Sequence, residues 1–428
     1  MRLLIMNRSL TVFVSTKKMG ELKDVNGFWA FEYAQEWVNS DKNFSLSPDI
    51  PIQNEMTLDT GTKRPVQSFF DNLLPEENAR KLLAKDAQVD HSDSFALLEV
   101  SGIESAGALI MLPEGSVMPE PSAEPLELSA LSERIKALPK APLNKRQGSR
   151  MSLAGAQHKM LIIKKGSDLF EGNAGTPSTH ILKPDHSEPD DYWQTTCNEW
   201  FVMRLAKMMN IDVPKVELLY VPEPVYLVER FDRYGNYPNQ ERRHIIDACQ
   251  LLSFSKDVKY AASTVETYKK ILGKVRTKAQ DTIKLYRWVI FNLLIGNGDA
   301  HLKNISFYYG DGNPQLTPFY DLLSTVIYVH EGTKPLEQKL SIPINGKETF
   351  DELRRDDVLA FANEIGMPGK GAATHLDTMV KNIQGAFEIL YKEVLEMPTT
   401  PTRAGELRML REIQYKVLNE MVERLRPS

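Results

Sequence analysis

The sequence has few cysteines and lacks long apolar runs, and each absence excludes a class of protein. Only Cys197 and Cys249 occur among its 428 residues, and neither has the spacing of a metal-ligand pair. A disulfide framework is therefore disfavoured, and a reducing compartment is favoured. No stretch approaches the roughly 18 apolar residues of a membrane-spanning helix. The short N-terminal apolar run continues into strand-like alternation, unlike a signal peptide. We expect a cytoplasmic protein with no membrane partner.

A strong excess of one charge is also absent. The net charge is −5 and the isoelectric point is about 6.0, which argues against a chain that binds nucleic acid through bulk charge. The apolar share of 42% and the charged share of 25% are those of an ordinary globular protein. The length predicts two to three domains.

Changes in hydrophobic period divide the chain into four predicted segments. Residues 1–112 mix strand-like alternation with helical spacing, which predicts a small α+β subdomain. Dense prolines then indicate a linker region at 113–147, interrupted by a short helix. Residues 148–235 predict a β-rich nucleotide-binding lobe, and residues 236–428 predict an all-helical lobe. The predicted fold class is therefore α+β, with a two-lobed, protein-kinase-like arrangement.

One stretch near residue 300 carries the clearest chemical pattern. An apolar, helix-like run ends at a Gly-Asn-Gly turn, Asp299 follows at once, and Asn304 comes five residues later. A predicted hairpin then ends at a second carboxylate, Asp321. Protein kinases place a base Asp, a Mg²⁺-binding Asn and a second Mg²⁺-binding Asp in this order. We predict a catalytic loop at 296–304 and a metal-binding hairpin at 305–321, although the His-Arg and Phe-Gly neighbours typical of kinases are absent.

Two residues inside this loop allow more than one interpretation. Lys303 is a candidate for contact with a nucleotide phosphate, and a plain surface lysine is an equal alternative. His301 is a second candidate near the nucleotide, with a structural hydrogen-bonding role favoured over a role as base. The D-x-x-x-x-N spacing alone also arises by chance, so the surrounding chain has to decide.

Upstream segments supply candidate phosphate-binding groups. The loop Ser152–Gln157 is made of small residues, including Ala154, Gly155 and Ala156, and its backbone N–H groups are candidates to cradle phosphate. A tight turn without ligand is the alternative. Lys183, at the end of a predicted strand, is the candidate phosphate-binding lysine, and Glu199 on the next helix is its candidate ion-pair partner.

A nucleotide hinge is predicted where the strand 225–228 ends. Backbone groups of Glu229 and Phe231 are candidates to pair with adenine, and the Asp232 carboxylate is a candidate to hold ribose hydroxyls. The alternative is a strand end with a salt-bridged Arg230–Asp232 pair. Loop, lysine, helix glutamate, hinge, base and two metal ligands follow the order of a protein kinase, and this order decides more than any one part.

The chain resembles the HipA-like serine/threonine kinases, the toxins of bacterial type II toxin–antitoxin systems. The matching stretches span about residues 1–330, which is most of the chain, in the order of the family: Phe69–Pro75, Ser152–Lys159, Thr179–Lys183, Val228–Arg233, Gly298–Asn304 and Leu316–Asp321. Relatives commonly carry an acidic pair where this chain has Asp247 alone, so we assign Asp247 no catalytic role.

The resemblance implies ATP and Mg²⁺ as cofactors and gives each candidate a role. Asp299 would be the catalytic base, Asn304 and Asp321 the Mg²⁺ ligands, and Lys183 the contact to the ATP phosphates. The hinge residues named above would hold the adenosine. The family also implies that Ser152 is autophosphorylated, which would eject its loop and silence the kinase.

The resemblance further implies partners. A HipB-like, dimeric helix-turn-helix antitoxin would bind this chain, and operator DNA would be reached mainly through that complex. The substrate would be a translation-related protein such as glutamyl-tRNA synthetase, an aminoacyl-tRNA synthetase, whose phosphorylation causes growth arrest and persistence. An alternative function is that of a non-catalytic co-repressor that strengthens the binding of the antitoxin to its operator.

Overall fold

Strand alternation builds the N-terminal part of the molecule around one antiparallel sheet. The computed structural model describes residues 8–141, 143, 153–155, 157–173, 175–310, 312–329 and 332–427. The first sheet has the order β4-β3-β2-β1-β5. Its strands are β1 Arg8–Val14, β2 Lys17–Val25, β3 Phe28–Tyr33, β4 Thr57–Leu58 and β5 Leu109–Pro113. The helices of this part are α1 Gln35–Val38, α2 Pro65–Asp71, α3 Glu77–Ala87 and α4 Ser94–Ser101.

A second antiparallel sheet, in the order β10-β11-β9-β7-β8-β6, forms the next lobe. Its strands are β6 Ala123–Pro125, β7 Met160–Lys165, β8 Asp168–Gly172, β9 His180–Pro184, β10 Val216–Tyr220 and β11 Pro224–Glu229. The helices are α5 Leu128–Lys136 and α6 Thr195–Met208. The proline-rich segment therefore contributes a strand and a helix to this lobe, and Leu126 and Leu131 pack in the lobe's own small core.

The C-terminal lobe is mainly helical, but it is not all-helical as predicted. Its described residues include the strands β12 Arg233–Tyr234, β13 Glu241–Arg242, β14 Ile245–Asp247, β15 Ser306–Tyr308, β16 Gln315–Leu316, β17 Lys339–Ile344 and β18 Lys347–Thr349. The α-helices are α7 Ala248–Leu252, α8 Val265–Lys274, α9 Lys278–Ile295, α10 Arg355–Glu364, α11 Gly369–Glu396, α12 Arg403–Glu412 and α13 Asn419–Leu425. A π-helical turn, Ile413–Leu418, joins the last two, and short 3₁₀ turns lie at Lys256–Val258, Leu302–Asn304 and Pro335–Glu337.

One large core connects the N-terminal sheet, α6 and the C-terminal helices. Phe31, Phe201 and Phe291 come from these three parts and are all fully buried in it. Burying one such side chain contributes about 1.5–3 kcal/mol to folding. In the part of the chain that the structure describes, no helix is long and apolar enough to cross a membrane.

Candidate active site

Helix α9 delivers the predicted catalytic loop. Most of its second half is buried, and it ends at Gly296, whose φ of 66° lies in the left-handed region. A Cβ at this position would overlap the side chains of Val326 and Val417, so the helix end requires glycine. The chain therefore leaves the core sharply, immediately before Asp299.

Polar side chains hold the loop after this turn. The Asn297 amide nitrogen donates to Asn292 Oδ1 at 2.8 Å, and Asn297 Oδ1 accepts from the Asp299 amide at 3.0 Å. The Gly298 amide donates to Thr325 Oγ1 at 2.7 Å. These bonds fix the backbone on both sides of the predicted base.

Asp299 combines partial exposure with a raised pKa. Its side chain is 41% exposed. Burial raises the pKa of Asp299 to about 6, the hydrogen bond from the Tyr260 hydroxyl opposes that shift, and the Asp321 charge adds to it. Tyr260 donates directly to Asp299 Oδ1. A carboxylate of this kind can accept a proton from a hydroxyl near neutral pH.

Asn304 and Asp321 lie beside this carboxylate. The Asn304 amide nitrogen donates to the Asp299 carbonyl oxygen at 2.8 Å, so the amide oxygen is left as the atom that can bind a cation. Asp321 has a φ of 59°, a strained conformation for a residue other than glycine. Backbone strain of this kind clusters at functional sites, which agrees with a functional role for Asp321 at the end of the hairpin.

Lys183 joins the two lobes at this point. Its Nζ lies 2.8 Å from Glu199 Oε1 on α6 and 2.7 Å from Asp321 Oδ1 in the C-terminal lobe. Burial alone would lower the pKa of Lys183, but Asp321 and Glu199 together raise it above its ordinary value. The pKa of Asp321, which burial alone would raise, falls to about 2 beside Lys183. A charged lysine and an ionised aspartate therefore face each other across the cleft.

The small-residue loop lies against the same cluster. Ser152 and Ala156 lie outside the described residues. Gly155 has a φ of 107°, and its carbonyl oxygen accepts from the Glu76 amide at 3.2 Å. Gln157 donates its side-chain amide to the Pro184 carbonyl oxygen at 3.1 Å, directly after Lys183.

Lys159 is a half-buried cation in this cluster that was not among the predicted site residues. Its Nζ donates to the Ala154 carbonyl oxygen at 2.5 Å. Burial lowers the pKa of Lys159 to about 8, and the Lys183 charge acts in the same direction, while Asp321 and Glu199 oppose both. Lys159 lies two residues after Gln157, at the end of the motif Ser152–Lys159 on which the resemblance rests. This position could have identified it as a site residue.

His301 lies in the site as a neutral ring. Burial lowers the pKa of His301 to about 4, and the nearby Lys259 charge lowers it further. Its Nε2 is 3.8 Å from Asp299 Oδ1, and its buried Nδ1 has no partner among the described residues. An unpartnered polar atom in a cleft is what a bound ligand can satisfy.

Lys303 was predicted as a phosphate contact or a surface lysine, and the structure places it in a buried network of protein acceptors instead. Its side chain is only 4% exposed, and Nζ donates to Asn72 O at 2.8 Å, to Asn72 Oδ1 at 2.7 Å and to Asp247 Oδ2 at 3.1 Å. These acceptors use all three N–H groups of the ammonium. Glu76 Oε1 lies 3.8 Å away as a further negative charge. Lys303 therefore ties the catalytic loop to the N-terminal subdomain.

The hinge brings Glu229 and Phe231 to the edge of the cleft. The Glu229 amide donates to Lys215 O at 2.9 Å, and Phe231 O accepts from the Tyr308 hydroxyl at 3.1 Å. The Phe231 ring also packs 5.5 Å from the Tyr320 ring, centroid to centroid. Phe231 thus lies where the second lobe meets β15 and the segment that leads to Asp321.

Asp232 was predicted to hold ribose hydroxyls, and the structure places its carboxylate in a buried cluster of ion pairs instead. Its Oδ1 accepts from Arg230 Nε at 2.9 Å, and its Oδ2 accepts from the Gly107 amide at 2.7 Å and lies 3.0 Å from Arg233. The side chain is 6% exposed. The alternative interpretation, a salt-bridged Arg-Asp pair at a strand end, is the correct one. Glu104 from the N-terminal subdomain completes this buried cluster.

Comparison with known proteins identifies the family. Residues 10–112 match the HipA N-terminal domain family, and residues 151–387 match the HipA-like C-terminal domain family. A putative kinase of Sinorhizobium fredii, Y4mE, is 36% identical over 374 residues, which cover 84% of this chain and 86% of that protein. The chain belongs to the HipA family. The resemblance seen in the sequence motifs is confirmed.

Named HipA proteins agree with this assignment. The serine/threonine-protein kinase toxin HipA of Shewanella oneidensis is 31% identical over 378 residues, covering 84% of this chain and 83% of that one. A solved complex of Shewanella oneidensis HipA, HipB and operator DNA contains a similar fold, with a TM-score of 0.79 and 27% identity. The match covers 97% of this chain and 99% of that chain. The kinase-like architecture is therefore shown, and a kinase role is supported for the HipA family as a whole.

Proposed function

We propose that this HipA-family chain is an ATP- and Mg²⁺-dependent serine/threonine protein kinase and the toxin of a type II toxin–antitoxin pair. The observation that carries the proposal is the Lys183 ammonium, held between Glu199 on one lobe and Asp321 on the other. Active protein kinases need this lysine–glutamate pair and this metal-binding aspartate together. Asp299, the proposed base, lies next to the same cluster.

The residues present suit Mg²⁺ bound jointly with a nucleotide. Mg²⁺ prefers hard oxygen ligands and is usually held by one or two protein groups plus substrate phosphates. Asn304 and Asp321 supply two such oxygens. Among the described residues, no cluster of three or more His, Cys, Asp or Glu forms a metal site enclosed by protein. When bound, Mg²⁺ would offset the negative charge that develops on the transferring phosphoryl group.

The chain's own residues would then divide the remaining work. Lys183 and Lys159 would hold phosphate oxygens, and the backbone around Gly155 would close over them. Glu229 and Phe231 would bind adenine at the hinge, and His301 would offer its free Nδ1 to the nucleotide. Asp299 would accept the proton of a serine or threonine hydroxyl as that oxygen attacks the γ-phosphorus of ATP, the bond from this phosphorus to the β–γ bridging oxygen breaks and ADP leaves.

Replacing Asp321 by Asn tests the metal role. The amide keeps an oxygen for Lys183 but loses the charge that attracts Mg²⁺, so we expect phosphoryl transfer to fall about 100-fold or more and to require higher Mg²⁺. Incorporation of labelled γ-phosphate from ATP, measured across a Mg²⁺ titration, gives the answer. The exposed Asp212→Asn variant is the matched control, and an unchanged Mg²⁺ dependence in Asp321→Asn would reject this ligand assignment.

Autophosphorylation of Ser152 would provide the regulation of this kinase. A phosphate there would add up to about two negative charges to the loop whose described residues Ala154 and Gly155 contact Lys159 and Glu76. We expect phosphorylated protein to bind a non-hydrolysable ATP analogue with an affinity at least about tenfold lower, as measured by calorimetry. The Ser152→Ala variant treated with ATP should keep full affinity. Equal affinity of the phosphorylated and unmodified wild type would contradict the mechanism.

The antitoxin part of the proposal has its own support. The similar HipA chain was solved together with HipB and operator DNA. We therefore propose a HipB-like helix-turn-helix dimer as partner and contact with operator DNA mainly through that complex. A translation-related protein such as an aminoacyl-tRNA synthetase is the proposed substrate. Phosphoproteomics after induction of the wild type, compared with a variant lacking the base, would identify it.

A further inference from the structure

The segment between α7 and α8 places a tyrosine hydroxyl on the proposed base. Tyr260 is 47% exposed, yet its hydroxyl donates to Asp299 Oδ1. The segment is held by its own hydrogen bonds. The Ala262 amide donates to Val258 O at 2.7 Å, and the Ser263 amide donates to Tyr260 O at 2.9 Å. The tyrosine is therefore presented by a structured turn.

Contacts on both sides fix the ring of Tyr260. The ring packs edge-to-face against His301, with centroids 5.0 Å apart and an interplanar angle of 77°. Lys259 Nζ lies 5.3 Å from the centroid of the Tyr260 ring and forms an ion pair with Glu76 Oε2 at 2.5 Å. The catalytic loop and the N-terminal subdomain thus both hold the tyrosine at Asp299.

These contacts divide the two oxygens of the Asp299 carboxylate. The Tyr260 hydroxyl binds Oδ1, and His301 Nε2 lies 3.8 Å from the same oxygen. Oδ2 is then the oxygen left to receive the proton of an acceptor hydroxyl. We infer that Tyr260 is a positioning residue, which fixes the rotation of the Asp299 carboxylate so that Oδ2 faces the acceptor. The inference rests on the proposed kinase function.

A partly exposed carboxylate would rotate freely without such a bond. Proton transfer requires the base within hydrogen-bond distance of the acceptor hydroxyl, and misplacement by about 1 Å can cost about 100-fold in rate. Removing only the hydroxyl should therefore slow the chemical step. Nucleotide binding should be unaffected, because Lys183 and the hinge hold the nucleotide in the proposed site.

The Tyr260→Phe variant tests this separation. We expect kcat for transfer of labelled phosphate from Mg²⁺·ATP to the chain itself to fall about 10- to 100-fold. The KM for ATP, the calorimetric Kd of a non-hydrolysable ATP analogue and the Tm should stay at wild-type values. Tyr268→Phe on α8 is the matched control, because the buried Tyr268 hydroxyl has no partner among the described residues. That control should match the wild type in every measurement.

Each alternative outcome has a distinct meaning. A wild-type kcat in Tyr260→Phe would overturn the inference, and so would a faster one, which would mean that the hydroxyl blocks the acceptor. A lower Tm, or a loss of nucleotide affinity as large as the loss of rate, would mean that Tyr260 only supports the structure. Either result would also overturn the inference. Asp299→Asn, measured in parallel, tests the proposed function separately. Activity in that variant would reject the assignment of Asp299 as the base.

Discussion

Asp299→Asn is expected to lower the rate of phosphoryl transfer about a thousandfold, equivalent to about 4 kcal/mol of transition-state stabilisation. The amide has the shape of the carboxylate but cannot accept the proton of an attacking hydroxyl. The fold should persist, because the Asp299 amide and carbonyl bonds to Asn297 and Asn304 involve only backbone atoms of residue 299. The Tyr260 hydroxyl can still donate to the amide oxygen. Labelled phosphate transferred from ATP to the chain measures the effect.

A neighbouring Asp→Asn change serves as the control for this experiment. Asp257 is exposed, lies in the same turn as Tyr260 and accepts from Ser255 Oγ at 2.8 Å. Asp257→Asn should label at the wild-type rate. If Asp299→Asn labelled as fast as Asp257→Asn, Asp299 would not be the base.

Glu104→Gln is expected to destabilise the protein by about 3 kcal/mol, since it removes one partner from a buried ion-pair cluster. Glu104 Oε1 accepts from Arg230 at 3.1 Å and from Arg233 at 2.8 Å, and Oε2 accepts from Arg242 at 2.6 Å. Without that charge, three buried guanidinium groups lose a carboxylate partner, and Asp232 contacts only two of them, Arg230 and Arg233, in the described contacts. Urea unfolding of the variant, compared with Glu114→Gln at an exposed position after β5, measures the loss. Equal midpoints would show that the cluster does not stabilise the hinge.

The same cluster predicts the response of stability to acid. Burial would raise the pKa of Glu104, but the arginines, Arg242 first, hold it well below its ordinary value. Burial would also raise the pKa of Asp232, but Arg230 and Arg233 lower it to about 2. Both carboxyls therefore add stability above their unfolded pKa of about 4, and this stability is lost as pH falls through the folded values. Between about pH 5 and pH 2, Glu104→Gln should lose less stability than the wild type.

Local patterns were sufficient for the elements that deliver the site. The apolar run that ends at Gly-Asn-Gly predicts α9 and its end, because glycine is favoured in the left-handed conformation after a helix. The hairpin to Asp321 was also predicted, although the paired strands β15 and β16 are shorter than expected. The ion pair of Lys183 with Glu199 is present in the structure as anticipated. In each case the signal lies within one short stretch of the chain; Lys183 and Glu199, for example, are 16 positions apart.

One missed element had a local signal that was not used. Strands β17 and β18 are joined by Asn345 and Gly346, whose φ values of 48° and 76° are both positive. An Asn-Gly pair between alternating apolar residues is a strong sequence indication of a hairpin. The prediction of an all-helical lobe gave this pair no weight, because the flanking segments have the apolar spacing of helices.

The corrected site residues depended on contacts that sequence spacing does not show. Lys303 meets Asn72 across 231 positions of the chain, and Arg230 meets Glu104 across 126. A lysine four residues after an aspartate shows the same local sequence pattern whether its side chain faces a phosphate or a buried asparagine. Tyr260 likewise had no motif of its own, because its importance comes from the distance to Asp299.

The buried network of Lys303 has a consequence for how the molecule comes apart. Asn72 and Glu76 belong to the N-terminal subdomain, and Glu104 brings that subdomain to the hinge as well. Detaching the subdomain would leave Lys303 and the hinge arginines without much of their counter-charge in a poorly hydrated interior. We therefore expect that the other two lobes do not fold autonomously, and that the N-terminal subdomain unfolds together with them in one cooperative transition.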